Sequence, residues 1–447
     1  MLLMFLHFVT STASAVLAAA QKRSAAPACL LSAASAAVLA AKCAALQAAE
    51  GFLPLLAVAA VECALAAASE RAPKVRTAAQ AAAPCGVLTG NALFLRACEG
   101  EILGYVIAGV VGLLAGCAAY KLVTRKNGSV GNCALALFAA TLAALLALEV
   151  VSAVQSPDLM PGWTAVGNVS FFGGWLAVPF LALTYAAIPH ADIVESVTKT
   201  PWMAAMSVAV AALVTTALCR PEPSAALLAA VLLSFVLARG LFSHYSLVIV
   251  LTPIAAACVM HPTEWLPVEE WLNNGDFFWE YCSEALDGAA LVGPGVLDAG
   301  RLQDVPSWSA DFVAVEVVAV FGFAGLASAL AAFSSVLVLA ARFARTEGAP
   351  IPGRASIVLA SSLFAPSFVS LAGLFLPLSL GGAFCLGGAF CPVITDSITV
   401  AFWSFAAIGV LGTALTSAHP APMDAIPSSE QPRRPSPSLP HGDGRQG

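Results

Sequence analysis

Residues 102–123 read ILGYVIAGVVGLLAGCAAYKLV, and no charge interrupts them between Ile102 and Tyr120. A hydrocarbon layer about 30 Å deep takes about 20 apolar residues to cross as a helix, because the helix satisfies its own backbone hydrogen bonds where no water can. A barrel strand needs only about half that length. The stretch therefore reads as a membrane-spanning helix, and runs of similar length recur on both sides of it.

Composition says the same of the whole chain. Of its 447 residues, 60% are apolar and 10% charged, with a mean hydropathy of +0.87. Soluble domains have about half apolar and a quarter charged residues, so too few charges exist here to cover water-facing surfaces. The spacing predicts spans near 2–20, 26–47, 52–69, 82–98, 102–123, 131–154, 171–189, 201–219, 224–238, 240–260, 312–341, 355–380 and 392–416. The segments 82–98 and 224–238 carry the weakest signal. The fold class expected is all-α, a polytopic bundle of 12–13 spans over residues 1–416, with one large acidic loop outside the membrane and a tail at 417–447.

Loop charges orient the bundle. With thirteen spans and the N-terminus outside or lumenal, 16 of the 20 Lys and Arg fall on the cytoplasmic side, as the excess of basic residues in inner loops requires. Lys42, Arg96, Arg220 and Arg301 fall on or near the outer side. The C-terminus is then cytoplasmic, in a plasma membrane or an endomembrane. The first segment has an alternative reading as a cleaved signal, since Ala13-Ser14-Ala15 offers small residues; Lys22 and Arg23 behind it, and no base before it, favour a first span.

Residues 13–69 are rich in Ala and Ser, and Gly112 and Gly116 stand four apart, the pattern that lets helix backbones approach closely in lipid. Within a many-helix bundle this predicts a contact inside the chain in preference to a dimer. The tail carries Pro420, Pro422, Pro427, Pro432, Pro435, Pro437 and Pro440, a composition that cannot bury a core and is expected to be disordered. Its PxxP spacings at Pro432–Pro435 and Pro437–Pro440 read either as a docking motif for a protein partner or as a solvated linker.

Segment 261–311 holds ten acids against one base, Arg301, together with four of the eight tryptophans. It reads as an acidic vestibule at a pore mouth or as an ordinary solvated loop, with a short interfacial helix after Asn273-Asn274-Gly275-Asp276. Within spans, charge is expensive and marks function by default. Glu62 lies near mid-depth, while Glu149, Glu316 and Asp396 lie near the outer boundary; together these four are the candidate ion- or substrate-coupling residues. Facing inward, they make a cation or proton site; facing outward, the three outer acids merely reach for the interface. Before Asp396, the sequence repeats GGAFC. Gly381, Gly382, Gly387, Gly388 and Pro392 forbid a regular helix there and predict a break that shapes a site, as in transporters with discontinuous helices. Alternatively the segment is a flexible hairpin closed by a candidate disulfide, Cys385 to Cys391.

Other chemistry is thinly represented. Neither HExxH, GxSxG, a P-loop nor a helix-opening GxGxxG occurs, and the 12 cysteines form no CxxC and no zinc spacing. Cofactor and metal are accordingly expected to be none, with no catalytic residue assigned. The dispersed bases exclude a nucleic-acid partner. The function expected is a secondary transporter or permease for a small solute, cation- or proton-coupled, whose partners are a small-molecule or ion substrate and membrane lipids. Alternatives are a non-catalytic membrane subunit or scaffold, and a lipid-modifying enzyme using His244 or His261 as a base.

Overall fold

The computed structural model describes residues 1–20, 24–100, 102–125, 163–166, 169–172, 286, 289–297, 313–344, 393–394 and 398–417. Helices α1 (Leu2–Ala20), α2 (Ala26–Ala45), α3 (Ala49–Arg71), α4 (Pro73–Glu99) and α5 (Ile102–Arg125) follow one another in the first part of the chain. A short hairpin of β1 (Trp163–Val166) and β2 (Val169–Phe172) comes next, and α6 (Val313–Ala344) and α7 (Ile398–Ser417) complete the described elements. Five helices, namely α1, α2, α3 and the segments Val75–Glu99 and Val313–Ala340, are long and apolar enough to cross a membrane. In α5 and α7 the apolar stretches Ile102–Ala118 and Ser404–Thr416 are shorter.

The connections follow from local chemistry. Pro27 sits in the first turn of α2, where its missing N–H costs nothing. Between α3 and α4, Ala72 is extended (φ −129°, ψ 103°), the conformation that a following proline imposes, and Pro73 then opens α4. Helix α4 stops at Gly100, whose left-handed backbone (φ 80°) returns its N–H to the carbonyl of Arg96.

Helix α4 is the centre of the bundle. It begins well before the predicted 82, and its span is 83% buried, against 22% for α3. Its low hydropathy has this cause: Gln80, Asn91 and Arg96 are shielded by protein instead of lipid. Around it, α1 and α2 run antiparallel, with the Ser14 hydroxyl donating to the carbonyl of Ala28 at 2.8 Å and Ser35 meeting His7 at 2.9 Å. Helices α1 and α6 run parallel, through Ser328 to Ser11 at 2.6 Å and Ser335 to the carbonyl of Ala15 at 2.7 Å. The bundle is also apolar on its outside: Leu2, Leu53, Leu103 and Leu114 are each more than 60% exposed, surface that lipid accepts and water does not.

Gly112 and Gly116 of α5 meet α7 within the chain. A Cβ on either would overlap the carbonyl oxygens of Phe402 and Ala406, and one on Gly409 would overlap that of Leu113, so three glycines bring the two backbones together in parallel. Helix α7 begins at Ile398 and not at 392. Val393 before it has φ of 72° and gives its N–H to Oγ of Ser404 at 3.1 Å.

Two features depart from the sequence reading. Helix α6 is interrupted at Gly322 (φ 78°, ψ 179°), a conformation open essentially to glycine alone. The chain at 289–295, read as part of a solvated loop, docks on this break: the N–H groups of Gly293 and Gly295 donate to the carbonyls of Phe321 and Val320, each at 2.9 Å, and that of Ala324 donates to Leu291 at 2.8 Å. A helix can be broken at membrane depth only where protein or water takes up the freed groups, and here another piece of backbone does so. The second departure is β2, which pairs Phe172 with Trp163 and Phe171 with Thr164, so strand occupies the predicted start of the span at 171–189. The ten acids of the loop, the remaining predicted spans and the tail beyond Ser417 lie outside the described residues.

Candidate functional site

Four helices leave a cavity of about 600 Å³ beside α4. Residues spaced by three or four line it from one face of each: Pro54, Val58, Glu62 and Leu65 of α3; Ala78, Ala82, Cys85, Thr89 and Leu93 of α4; Tyr105, Gly109 and Leu113 of α5; Phe405, Ile408 and Gly412 of α7. The wall is apolar by composition and by hydrogen bonding. The hydroxyls of Thr89 and Thr413 are turned back onto the carbonyls of Cys85 and Gly409 in their own helices, each at 2.8 Å. Tyr105 donates its hydroxyl to the carbonyl of Val393 at 2.6 Å, which leaves the ring, edge-on to Phe405 at 5.8 Å, as cavity wall.

Glu62 is the one charged side chain among these lining residues, and it is 3% exposed. Its position depends on a glycine. A Cβ on Gly86 would overlap Oε1 of Glu62 and stand 2.7 Å from Oγ of Ser32, so the carboxyl occupies space that a side chain at 86 would fill. The thiol of Cys29 lies within hydrogen-bonding reach of the carboxyl, whereas Oε2 and the Ser32 hydroxyl have no hydrogen-bond partner among the described residues. Among the described residues a carboxyl so placed has at most a weak thiol donor and no counter-charge, where a buried acid normally has several donors or a cation. The cavity thus offers one acid, with an oxygen unpartnered among the described residues, in otherwise apolar surroundings that include the rings of Tyr105 and Phe405.

Glu316 is elsewhere and differently employed. It sits in the first turn of α6, fully buried, and Nη2 of Arg96 donates to both of its oxygens at 2.7 and 2.9 Å. The same guanidinium holds Glu99 through Nη1. Arg96, 1% exposed, therefore ties the end of α4 to the start of α6 across 220 positions of sequence. Glu316 faces inward, as one sequence reading required, but the position beside it is already filled by a cation. It does not line the cavity of Glu62.

Glu149 and Asp396 lie outside the described residues, as do Gly381, Gly382, Gly387, Gly388, Pro392, Cys385 and Cys391, and His244 and His261. Among the described residues no group of three His, Cys, Asp or Glu side chains is placed to hold a metal. Sequence reading passed over Arg96, counted only as an outer base, and Gly86 and Gly322, which carry no motif. The pair Arg96 and Glu99, three apart on one helix face, was the available hint for the first. Compared with protein-family models and with curated protein sequences, the chain matches none, so its function must be read from its own residues.

Proposed function

We propose that the chain is a multi-pass integral membrane protein that moves a small solute across the bilayer, coupled to a cation or proton through Glu62. The observation that carries this reading is a nearly inaccessible carboxyl, one oxygen of which has no hydrogen-bond partner among the described residues, at an otherwise apolar cavity of about 600 Å³. That volume is in the range of small-molecule sites, on the order of 300–1,000 Å³. An acid in apolar surroundings is a costly element that a mere packing role does not require, and the solute it suits is apolar in bulk with one positive group. The interruption of α6 at Gly322 is the kind of discontinuity transporters use, found in a different helix from the one the sequence suggested. In this reading the Arg96–Glu316 pair is a fixed strut and not a coupling group. The parallel pairs α1 with α6, α2 with α4, and α5 with α7 are what strict alternation of thirteen crossings requires.

Thermal stability of the purified protein against a panel of tetraalkylammonium and aryl-amine cations, Na+ and pH tests this reading. A ligand bound only by the folded state adds RT ln(1 + [L]/Kd), about 2.7 kcal/mol at a hundredfold excess. At least one cation or proton concentration is expected to stabilise the wild type and to lose its effect in Glu62→Gln. Equal responses in the two proteins, or none in either, would refute it.

A further inference from the structure

Polar side chains that the cavity does not need are buried between Glu62 and the break in α6. Oε1 of Glu62 and Oγ of Ser32 border the same spot above Gly86, close enough for one water to join them. Ser35 follows Ser32 by three positions on the same face of α2, about 5–6 Å away between Cβ atoms. Its hydroxyl meets Nδ1 of His7 at 2.9 Å. Asn91 of α4 lies beside the His7 ring. Every member is buried, with Ser32 and Asn91 at 0% exposure and His7 and Ser35 at 1%. Glu62 Oε2 and Ser32 Oγ have no hydrogen-bond partner among the described residues, and His7 Nε2 and the Asn91 amide adjoin each other without a hydrogen bond of regular geometry.

Buried polar groups in this number are normally paired, and a row of unpaired ones of matching chemistry marks a place for water. The row also has a direction. At about 1.5 Å of rise per residue, His7 stands about 7.5 Å from the start of α1, Ser35 about 15 Å from the end of α2, and Ser32 and Glu62 about 20 Å from the end of α2 and the start of α3. Its shallow end lies at the interruption of α6: the His7 ring is 5.4 Å from that of Phe321, next to Gly322 and to the docked chain at 289–295.

We propose that this seam is a hydrated proton path linking the α6 break to Glu62, a reading that rests on Glu62 being the coupling carboxyl. Each hydroxyl or water accepts a proton on a lone pair and passes its own hydrogen onward, His7 does so between its two ring nitrogens, and Glu62 takes or releases the proton at its carboxyl. No bond other than O–H and N–H is made or broken. The titratable groups set against Glu62 are the thiols of Cys29 on α2 and Cys85 on α4, with Cys63 its chain neighbour; against His7 stand Ser35, Asn91 and Phe321.

The test is proton flux into liposomes holding the full-length protein, a trapped pH-sensitive dye and a potassium diffusion potential. Wild type is expected to conduct and Glu62→Gln to be silent. Ser32→Ala and Ser35→Ala are each expected to lose about tenfold or more in rate, equivalent to about 1.4 kcal/mol of barrier, while keeping the cation-dependent stability due to Glu62. Ser32→Thr, which restores a hydroxyl, should recover the flux. Two separate serines keep the test decisive if one variant does not fold. Alanine variants that conduct like wild type while Glu62→Gln is silent would overturn the path and leave the carboxyl's role standing. A Glu62→Gln that conducts normally would overturn both, and a wild type that conducts no protons would overturn the path.

Discussion

Removing Arg96 should destabilise the bundle more than any single change at its surface, and removing its partner as well should undo most of that loss. In Arg96→Met, a carboxylate with no solvent exposure loses the guanidinium that donates to both of its oxygens, with a second carboxylate, Glu99, close by. Breaking one side of a buried pair costs about 3–5 kcal/mol, while replacing the whole pair with apolar groups of similar volume is about neutral or better. Glu99, whose side chain is 12% exposed, loses its ion pair with Arg96 in either case at a cost of up to about 1 kcal/mol. The cycle of Arg96→Met, Glu316→Met and the double variant should therefore show a coupling energy of at least about 2 kcal/mol. Sodium dodecyl sulfate titration in mixed micelles, followed by far-ultraviolet circular dichroism, reads it. An Arg96→Met cost under about 1 kcal/mol, or a double variant that costs as much as both singles together, would refute a load carried by this buried pair.

Three glycines give further outcomes. Gly86→Ala puts a Cβ onto Oε1 of Glu62 and should abolish the cation-dependent stability without unfolding the protein, measured by the same thermal series as Glu62→Gln. Gly322→Ala must adopt a backbone that only glycine takes readily, and its Cβ would lie 2.5 Å from the amide nitrogen of Gly293; it should cost about 1–3 kcal/mol in the micelle titration. Gly116→Leu forces α5 and α7 apart, since even a Cβ overlaps the carbonyl of Ala406. A loss of about 1–3 kcal/mol is expected, with Cys117 no longer within 3.6 Å of the carbonyl of Gly409 and more reactive to a maleimide.

What the sequence disclosed follows from which forces are local. Helices α1, α2, α3 and α5 appear where apolar runs of spanning length stand, because lipid rewards exactly the property that hydropathy measures along the chain. Helix α4 was truncated in the reading because its first turns carry Lys74, Arg76 and Gln80; a helix surrounded by other helices need not look apolar. Glu62 was legible as an acid inside an apolar run of spanning length, but nothing local revealed that Gly86 makes room for it. The pairing of Arg96 with Glu316 was hidden by their separation, and charge alone placed both near the outer side without joining them. Gly322 looked like one more small residue, since its backbone angle depends on chain at 289–295 that reads as loop.

The most direct test of the central claim is reaction of the membrane-embedded protein with a lipophilic carbodiimide, which couples to the acid form of a carboxyl in apolar surroundings, followed by mass spectrometry of the peptide containing Glu62. The account predicts labelling at Glu62, protection by whichever cation stabilises the protein, and little labelling of Glu316 while Arg96 holds it. An unlabelled Glu62, or labelling that no cation alters, would contradict a coupling carboxyl at this cavity.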